Sequence, residues 1–479
     1  MQRSLRLLAL PRREVLFAWG AAATLALLAA AGEHELGAVG LFVPIALIAA
    51  AILITRPVLT LVIVLGLTIF CEGPGFGLFT FTSDLYKQVY RDISMLDLLV
   101  GLVVVSALLD VLRSGRPLWI PRTLALALAT LALAMAAGAY VGHESGISLR
   151  FSIFSEHVLF YLLLMPVAVA NLELDEAQVT RLLAGAMALA IFKAIVGLIE
   201  ISEHLGRQIE GSSTLTYYEP TANWLLMMAL LTILAARVIR IKLPLWVLLG
   251  SPLLIACLLL SYRRSFWIAA VLGVVLILLV GTSPTGRRLL VPACLVVAGA
   301  IWLLGSLNFQ SNLPVIKRAD SLSSFSKLET NREDRYRLDE RANVLSEIGA
   351  HPITGLGMGV AWQATAAPLS VEHEEGRQYV HFAALWFWLK LGVLGLCAYV
   401  GIIIGSLLLA WRTRRVVRGP WLRAFALASA CGIAGLAVMD TTASFTGVEA
   451  RFTVVLAAQI GLLGALARRA RLAGSGEAV

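Results

Sequence analysis

The chain has 479 residues, of which 59% are hydrophobic and only 14% are charged, and its mean hydropathy is +0.84. A soluble core cannot hide so many apolar residues, so this composition excludes a soluble globular protein and indicates a membrane protein. The net charge of +9 does not indicate a nucleic-acid partner, because the chain has no basic, aromatic-rich domain to bind one.

Apolar segments near the roughly 20 residues that a membrane-crossing helix needs recur along nearly the whole sequence. They predict an all-α polytopic membrane protein with about 14 transmembrane helices, or 12 if the short third or the long twelfth segment is broken or re-entrant. The expected spans are residues 15–32, 37–55, 57–71, 94–112, 121–141, 151–170, 179–201, 220–236, 243–261, 265–281, 289–307, 381–411, 421–438 and 450–467. The first span is expected to be a retained signal anchor. The five cysteines are expected to be small core residues, without a disulfide framework.

Basic residues predict the orientation, since cytoplasmic loops of membrane proteins retain Lys and Arg. The clusters lie in residues 3–13, 113–122, 237–242, 412–423 and 468–471. Placing them inside puts both termini in the cytoplasm. The expected organisation is transmembrane helices 1–11 over residues 1–307, a large outer loop over residues 308–380, helices 12–14 over residues 381–467, and a cytoplasmic tail over residues 468–479.

The outer loop is expected to be functional, because loops of this length are otherwise uncommon. Within it, TNREDRYRLDERANVLSEIGAHP predicts an amphipathic helix. Thr330 and Glu333 form a capping box at its start, and Gly349 with Pro352 ends it.

The packed face of this helix is expected to be its apolar stripe. Arg341 falls on the stripe, with Arg335 and Arg337 beside it, so its charge is expected to turn toward whatever the helix packs on. The alternative is an arginine that snorkels from a membrane-facing helix. The stripe consists of Leu338, Ala342, Leu345 and Ile348.

The segment HPITGLGMGVAW follows the helix. Its alternate glycines, including Gly355 and Gly357, permit positive φ and close backbone approach, as in loops that bind phosphates or glycans, and equally as in a tight turn. His351 at the helix end can cap carbonyl groups. His381 stands where the chain re-enters the membrane, in an aromatic belt where a histidine is commonly structural.

Two arginines stand in SYRRSFWIA, at the start of the tenth expected span. Arg263 and Arg264 are pinned by a short loop on the outer side, where positive charge is disfavoured, so a counter-ion is expected. Either a carboxylate of the protein or a substrate phosphate fits paired guanidiniums. The carboxylates assigned to the same side are Glu210, Glu219 and Asp440.

A metal site is not expected, because no DxD motif lies beside an outer helix end. Glu372, Glu374 and Glu375 around His373 are more typical of a solvated acidic stretch. The segment TYYEPTANW, with Tyr217 and Tyr218, predicts either sugar contacts or an interfacial aromatic belt.

The order of SYRRSFWIA, RANVLSEIGAHPITGLGMG and HFAALWFWLKLGVLGL resembles the O-antigen ligase and polymerase superfamily of bacterial envelope glycosyltransferases, over roughly residues 200–440. The resemblance implies a GT-C-like enzyme of the bacterial inner membrane with residues 308–380 in the periplasm. Such an enzyme transfers a glycan from an undecaprenyl-diphosphate carrier to an acceptor hydroxyl, here a glycan or lipid A-core, without a metal or other cofactor. Membrane lipids are its other partners.

The site residues that the resemblance implies are carried over by position. His381 is the expected base, and Arg264 is expected to assist catalysis. Phe382 follows His381, whereas the family histidine is commonly followed by a small polar residue. The expected substrate-binding residues are Arg263, Arg341, Arg337, His351, Gly355 and Gly357.

Two other function classes fit the same composition. A transporter of polysaccharide or lipid-linked glycan is expected to have charged or broken helices near mid-bilayer and internal repeats. Only Lys193, together with Lys390, stands clearly mid-span, and the sequence has no convincing repeat. A non-catalytic membrane subunit of an export machine is the other alternative. Ligase, polymerase and protein O-glycosyltransferase share a donor and differ in acceptor, so the residues leave this choice open.

Overall fold

A computed structural model of the chain describes residues 43–71, 88–90, 92–204, 219–261, 263–281, 332–369 and 376–475. These residues are almost entirely helical. The helices are α1 (Val43–Ile54), α2 (Pro57–Phe70), α3 (Met95–Arg113), α4 (Arg122–Glu144), α5 (Leu149–Ser155), α6 (Val158–Ala170), α7 (Glu176–His204), α8 (Pro220–Val238), α9 (Leu245–Leu260), α10 (Arg264–Gly281), α11 (Arg332–Ala350), α12 (Ala383–Val416), α13 (Pro420–Met439) and α14 (Ala450–Ser475). A short antiparallel hairpin joins β1 (Gln88–Tyr90) to β2 (Ile93–Ser94), and a 3₁₀ turn covers Gly376–Gln378.

Eight of the described helices are long and apolar enough to cross a membrane, and the bent pair of α5 and α6 makes up to nine. The helices α2 and α9 are apolar but shorter. The expected spans 15–32 and 289–307 lie outside the described residues, and each of the others coincides with one or two helices. The structure therefore agrees with a polytopic all-α membrane protein, while the number of crossings stays a prediction.

The sixth expected span, residues 151–170, is not one helix. The helices α5 and α6 meet at 61°, with Glu156 and His157 between them. The His157 ring nitrogen Nδ1 lies 2.7 Å from the carbonyl oxygen of Phe154, so this side chain satisfies a carbonyl at the end of α5. The expected span over residues 151–170 is thus made of two helices that meet at an angle.

The helix α12 is also broken, at Gly392, whose φ of 66° and ψ of −165° are not helical. The sequence had left this long span open to a break. Hydrogen bonds from the loop that follows α11 satisfy the backbone there: Leu356 N donates to Leu389 O at 2.7 Å, and Val393 N donates to Ile353 O at 3.1 Å. Non-helical backbone at membrane depth requires such partners.

The core is built around α8, α13 and α14, which are the most buried spans of the described chain. The helix α14 packs along α6, and α12 packs along α4. The α12–α4 contact is close because Gly401 and Gly405 form a GxxxG pattern; a Cβ at Gly405 would lie 2.3 Å from Thr123 O.

Four of the cysteines lie in the described residues, and all four are free thiols. Cys71, Cys257 and Cys431 are buried as expected. Cys397 is exposed on α12, so its assignment to the core was wrong. Cys294 lies outside the described residues.

The helix bundle has two ends, and polar contacts connect the helices at each of them. At one end Asn171 accepts from Trp119 N at 2.9 Å and from Arg468 at 3.3 Å, and Arg116 pairs with Glu173 at 2.6 Å. The expected cytoplasmic segments 113–122 and 468–471 thus meet, as their shared side predicts. His381, at the start of α12, lies at the opposite end of the bundle. Which end faces the cytoplasm stays a prediction.

The helix α11 forms as expected, but a different face of it is packed. Leu338 and Leu345 are 41% and 42% exposed, and Ala342 and Arg341 are also exposed. The face turned to the protein is more polar, because the main chain of residues 366–367 and the backbone and ring of His381 offer it hydrogen bonds. Its buried residues are Tyr336, Glu340, Asn343, Val344 and Ile348. The expected packed stripe was therefore wrong except at Ile348, and Thr330 of the expected capping box lies outside the described residues.

Candidate functional site

His381 contacts a buried carboxylate of α11. Its Nδ1 lies 3.2 Å from Oε1 and 3.1 Å from Oε2 of Glu340, and its backbone N donates to Oε2 at 2.9 Å. Glu340 is fully buried, and His381 is 8% exposed. The carboxylate therefore holds both the main chain and the ring of the histidine.

Two tyrosines fix the plane of the His381 ring. The Tyr379 ring meets it edge-on at 4.9 Å between centroids, and the Tyr336 ring does so at 5.9 Å. Tyr336 lies one turn before Glu340 on the same face of α11, so one helix supplies both a carboxylate and an aromatic wall. These contacts leave the ring little freedom to rotate.

The connection between α13 and α14, residues 440–449, is bonded to the segment that carries His381. Ser444 Oγ donates to Val380 O at 2.5 Å, and Ser444 N donates to the Tyr379 hydroxyl at 3.2 Å. Ala383 N donates to Asp440 O at 2.9 Å. The start of α12 is thus fixed on both sides of His381.

Arg263 reaches the same connection from another direction. Its guanidinium lies 5.8 Å from the centre of the Phe445 ring, within the range of a cation–π contact. Arg264 is the first residue of α10 and is partly exposed. The 440–449 connection therefore contacts both the His381 segment and Arg263.

Glu449, the last residue of the 440–449 connection, has a raised pKa and lies near Arg263. It is half-buried, and burial, followed by the neighbouring Glu219 carboxylate, raises the pKa of Glu449 to about 7. Arg451 and Arg263 act on this pKa in the opposite direction. The carboxylate of Glu449 and the guanidinium of Arg263 are therefore close enough to influence one another.

The carboxylates expected as counter-ions have other partners. Glu219 caps α8 through Thr221 N and Ala222 N and pairs with Arg451 at 2.9 Å. Asp440 accepts from Thr446 Oγ1 at 2.7 Å and from the Tyr399 hydroxyl at 3.1 Å. Glu210 lies outside the described residues. Glu219 and Asp440 therefore stabilise helix ends through these contacts.

The end of α2 is held by two buried cations. Arg451 Nε donates to Thr68 O at 3.1 Å, and Lys193 Nζ donates to Phe70 O at 2.9 Å. Positive charge at a helix C-terminus is favourable because the carbonyl groups there point outward. Lys193, which the sequence placed within a span, therefore has a structural contact.

The remaining expected basic residues lie on or beside α11. The Arg341 guanidinium is exposed and lies 5.7 Å from the centre of the Phe382 ring, next to His381. Arg337 is half-buried. His351 is exposed at the end of α11, where its N donates to Glu347 O at 3.0 Å, and Gly355 N donates to His351 O at 2.9 Å. Arg341 is thus near His381, whereas His351 lies at the far end of the helix.

The glycine loop after α11 lies against α4 and α12. Gly355, Gly357 and Gly359 have φ of 67°, 95° and 80°, in the region that only glycine adopts easily. A Cβ at Gly355 would lie 2.5 Å from Leu389 O, and one at Gly357 would lie 2.3 Å from Gly142 N. Backbone packing therefore accounts for both glycines, and a contact with substrate stays a prediction.

No group of three or more His, Cys, Asp or Glu side chains converges in the part of the chain that the structure describes. The acidic stretch around His373 and the tyrosines Tyr217 and Tyr218 lie outside that part. Metal independence therefore stays a prediction.

A large apolar cavity of about 1340 Å³ lies away from His381, between α2, α7, α8, α13 and α14. Arg56, Arg181, Trp246 and Trp421 line it toward one end, and Ile69, Phe192 and Trp224 line it toward the other. Packed rings link Trp224 to the site: Trp224 contacts Phe452 at 5.3 Å, Phe452 contacts Phe445 at 5.3 Å, and Phe445 contacts Arg263.

Sequence reasoning missed Glu340, Tyr336 and Tyr379. The segment 308–380 carries ten acidic residues, so composition alone gave Glu340 no distinction. The one available signal is the spacing of Tyr336 and Glu340, four residues apart, which places them on one face opposite the leucines.

The fold and the site define a polytopic helical membrane protein with a histidine–carboxylate pair at one end. Residues 249–400 match the family model described as O-antigen ligase. The match runs from α9 into α12 and includes Arg263, Glu340 and His381. It supports membership of the O-antigen ligase and polymerase family and so, as a class, glycan transfer at a membrane. No curated protein matches the chain significantly.

Proposed function

We propose that this chain transfers a glycan from an undecaprenyl-diphosphate carrier to an acceptor hydroxyl at the periplasmic face of the bacterial inner membrane, as an O-antigen ligase-like or polysaccharide polymerase-like enzyme. The observation that carries the proposal is that one connection, residues 440–449, contacts both the His381 segment and Arg263. A base and a cation for a diphosphate leaving group are thereby held at one end of the bundle. The family match supports the same class of reaction.

In the proposed step the acceptor oxygen attacks the anomeric carbon of the donor glycan. The bond from that carbon to the diphosphate oxygen breaks, and undecaprenyl diphosphate leaves with the electron pair. His381 takes the proton of the acceptor hydroxyl. Arg263 or Arg264, together with Arg341 or Arg337, stabilises the charge on the diphosphate, because guanidiniums bind phosphate oxygens in pairs. No metal enters the step.

The apolar cavity supports a lipid-linked donor. Its lining runs along α7 from Gln178 to Phe192 and along α2 from Pro57 to Ile69. At about 1.5 Å per residue these stretches each span roughly 20 Å, a length suited to part of an isoprenoid chain. The ring contacts from Trp224 through Phe452 to Phe445 place the Trp224 end of the cavity toward the part of the bundle that holds Arg263. We infer that the lipid of the donor lies in the cavity while its diphosphate lies near Arg263.

The test is a single-component reaction. The purified full chain in lipid nanodiscs is mixed with an undecaprenyl-diphosphate-linked glycan and a panel of acceptors comprising glycan, lipid A-core and a serine-containing protein. The expected result is release of undecaprenyl diphosphate together with one glycosylated acceptor. The acceptor that reacts distinguishes ligase, polymerase and protein O-glycosyltransferase. No release with any acceptor contradicts the proposal.

A transporter of lipid-linked glycan is the second candidate, and the two helix breaks favour it. Both the α5–α6 junction and Gly392 interrupt helices, and the charged residues Glu156 and Lys390 lie beside them. Broken helices with charges at membrane depth are typical of transporters. Proteoliposomes that move a fluorescent lipid-linked glycan between leaflets, without releasing undecaprenyl diphosphate, are the result expected of this candidate.

A further inference from the structure

We propose that Glu340 is a positioning residue that sets which nitrogen of His381 carries the proton. The inference rests on the proposed function, in which His381 is the base. The carboxylate lies within 3.2 Å of Nδ1 through both of its oxygens and also accepts from the backbone N of His381 at 2.9 Å. Nothing in the sequence had singled this residue out.

The carboxylate determines the tautomer because it can only accept. An ionised carboxylate has no proton to donate, so the nitrogen that faces it, Nδ1, carries the hydrogen in the neutral ring. Nε2, on the opposite side of the ring, then has the lone pair that removes a proton from the acceptor hydroxyl. When Nε2 takes that proton, the buried negative charge of Glu340 stabilises the imidazolium that results.

The position of Glu340 in the fold suits this role. Glu340 is fully buried, and a buried carboxylate requires compensating donors. In the part of the chain that the structure describes, the two donors that contact it belong to His381. Tyr336, one turn earlier, and Tyr379 hold the ring edge-on, so the ring plane and the tautomer are set by separate contacts. The helix α11 is thus required for the orientation of the base.

Glu340→Gln tests the tautomer directly. The backbone N–H of His381 is a fixed donor, so the amide oxygen of glutamine turns to it, which leaves the amide NH₂ facing Nδ1. An NH₂ group at the Oε1 position, 3.2 Å from Nδ1, favours the tautomer with the proton on Nε2, and the variant also lacks the negative charge that stabilises the imidazolium, so the base is weakened. We expect kcat to fall by roughly 10²-fold, within the range of about 10²–10⁴ for general-base assistance, with the KM for donor within about twofold.

Glu340→Asp keeps the carboxylate on a shorter side chain and should recover part of the rate. The matched control is Glu347→Gln on the same helix, whose carboxylate accepts only from Gln363 N at 3.1 Å among the contacts seen. It should keep kcat within about twofold. Thermal unfolding of each variant in detergent identifies any loss that is due to folding.

A double-mutant cycle separates positioning from a merely structural contact. In a His381→Ala background Glu340→Gln should cause no further loss of kcat, because its effect acts through the ring. A further loss of tenfold or more there, or full activity of Glu340→Gln in the parent, overturns the proposal. If His381→Ala retains parental kcat, the proposed base fails first, and if the parent releases no undecaprenyl diphosphate, the proposed function itself fails.

Discussion

Lys390 Nζ lies 3.4 Å from Oε1 of Glu156, and this pair joins the breaks of two helices. Glu156 stands at the α5–α6 junction, and Lys390 stands two residues before Gly392. Lys390 Nζ also donates to Val360 O at 2.5 Å. The ion pair therefore explains why a lysine can be fully buried within α12, and it connects the glycine loop to both broken helices.

Arg263 and Arg264 are expected to differ from other arginines in their effect on turnover. Changing the one that binds diphosphate to Ala should remove a charge-assisted contact of about 1.5–3 kcal/mol, roughly a ten- to hundredfold loss of donor turnover. The lysine variant should recover only part, because lysine lacks the planar fork. The measurement is release of undecaprenyl diphosphate at matched protein yield.

Arg412→Ala is the matched control for the loss of a guanidinium, because Arg412 is exposed near the far end of α12. It should keep parental turnover. Full activity of both Arg263→Ala and Arg264→Ala would mean that these arginines are structural.

His381→Ala should nearly abolish transfer, by about 10²–10⁴-fold, with donor binding largely intact, because it removes the base. His351→Ala should change the melting temperature more than turnover, because His351 is exposed at the C-terminal end of α11, where a histidine ring interacts favourably with the helix dipole. Donor affinity, turnover and melting temperature are measured for both variants.

Excess EDTA added to the parent protein should have no effect on turnover. Inhibition that a divalent cation reverses would contradict the metal-free step.

Glu449 is expected to make donor affinity depend on pH. Above its pKa of about 7 the ionised carboxylate offsets the charge of Arg263, and below it the proton removes that effect. The KM for donor should therefore rise between pH 6 and pH 8, by roughly three- to tenfold, as expected for a charge effect on the order of 1 kcal/mol. Glu449→Gln should flatten this rise, whereas Glu144→Gln, at an exposed carboxylate, should not.

The raised pKa of Glu449 also predicts how the stability of the protein depends on pH. Folding raises the pKa of Glu449 from its ordinary value of 4.5 to about 7, so the folded protein binds this proton more tightly than the unfolded chain. Its contribution to the free energy of unfolding is full below pH 4.5 and is lost as the pH rises through 7. The melting temperature of Glu449→Gln should vary less across this window than that of the parent; an equal slope would contradict the assignment.

Filling the apolar cavity should weaken binding of the lipid donor. Gly185 lines the cavity on α7, and a Cβ there meets nothing within 4 Å, so Gly185→Leu adds volume without a clash. We expect the KM for donor to rise at least about threefold, because each displaced CH₂ is worth about 0.8 kcal/mol. Gly101→Leu on α3 is the matched control, since it is equally uncrowded and lies outside the cavity. An unchanged KM in Gly185→Leu removes the cavity from the donor site.

The orientation is tested with a pair of serine-to-cysteine variants. Ser346, exposed on α11, should label with an impermeant maleimide from outside, whereas Ser114, exposed after α3, should label only after the inner membrane is opened. The parent chain gives the background from its own cysteines. The reverse pattern would place His381 and Arg263 on the cytoplasmic side and end the periplasmic transfer proposal.

The sequence predicts the helices well because a long apolar run is a local property, and α3, α4, α8 and α13 begin and end within a few residues of the expected bounds. It also placed His381 and Arg263 on one surface. It did not predict the packed face of α11, because Glu340 is buried by a histidine 41 positions away. Likewise the partner of Arg451 is Glu219, far earlier in the chain. Such pairings depend on tertiary contacts that periodicity does not contain.

The glycine loop between α11 and the turn at Gly376–Gln378 has a consequence for how substrates arrive. Met358 N is bonded to Gly138 O, and Leu356 N and Ile353 O are bonded to the two sides of the α12 break. A segment anchored to two helices in this way is a fixed part of the bundle, and it does not act as a hinged lid. In the proposed reaction the substrates therefore reach His381 without a movement of this loop.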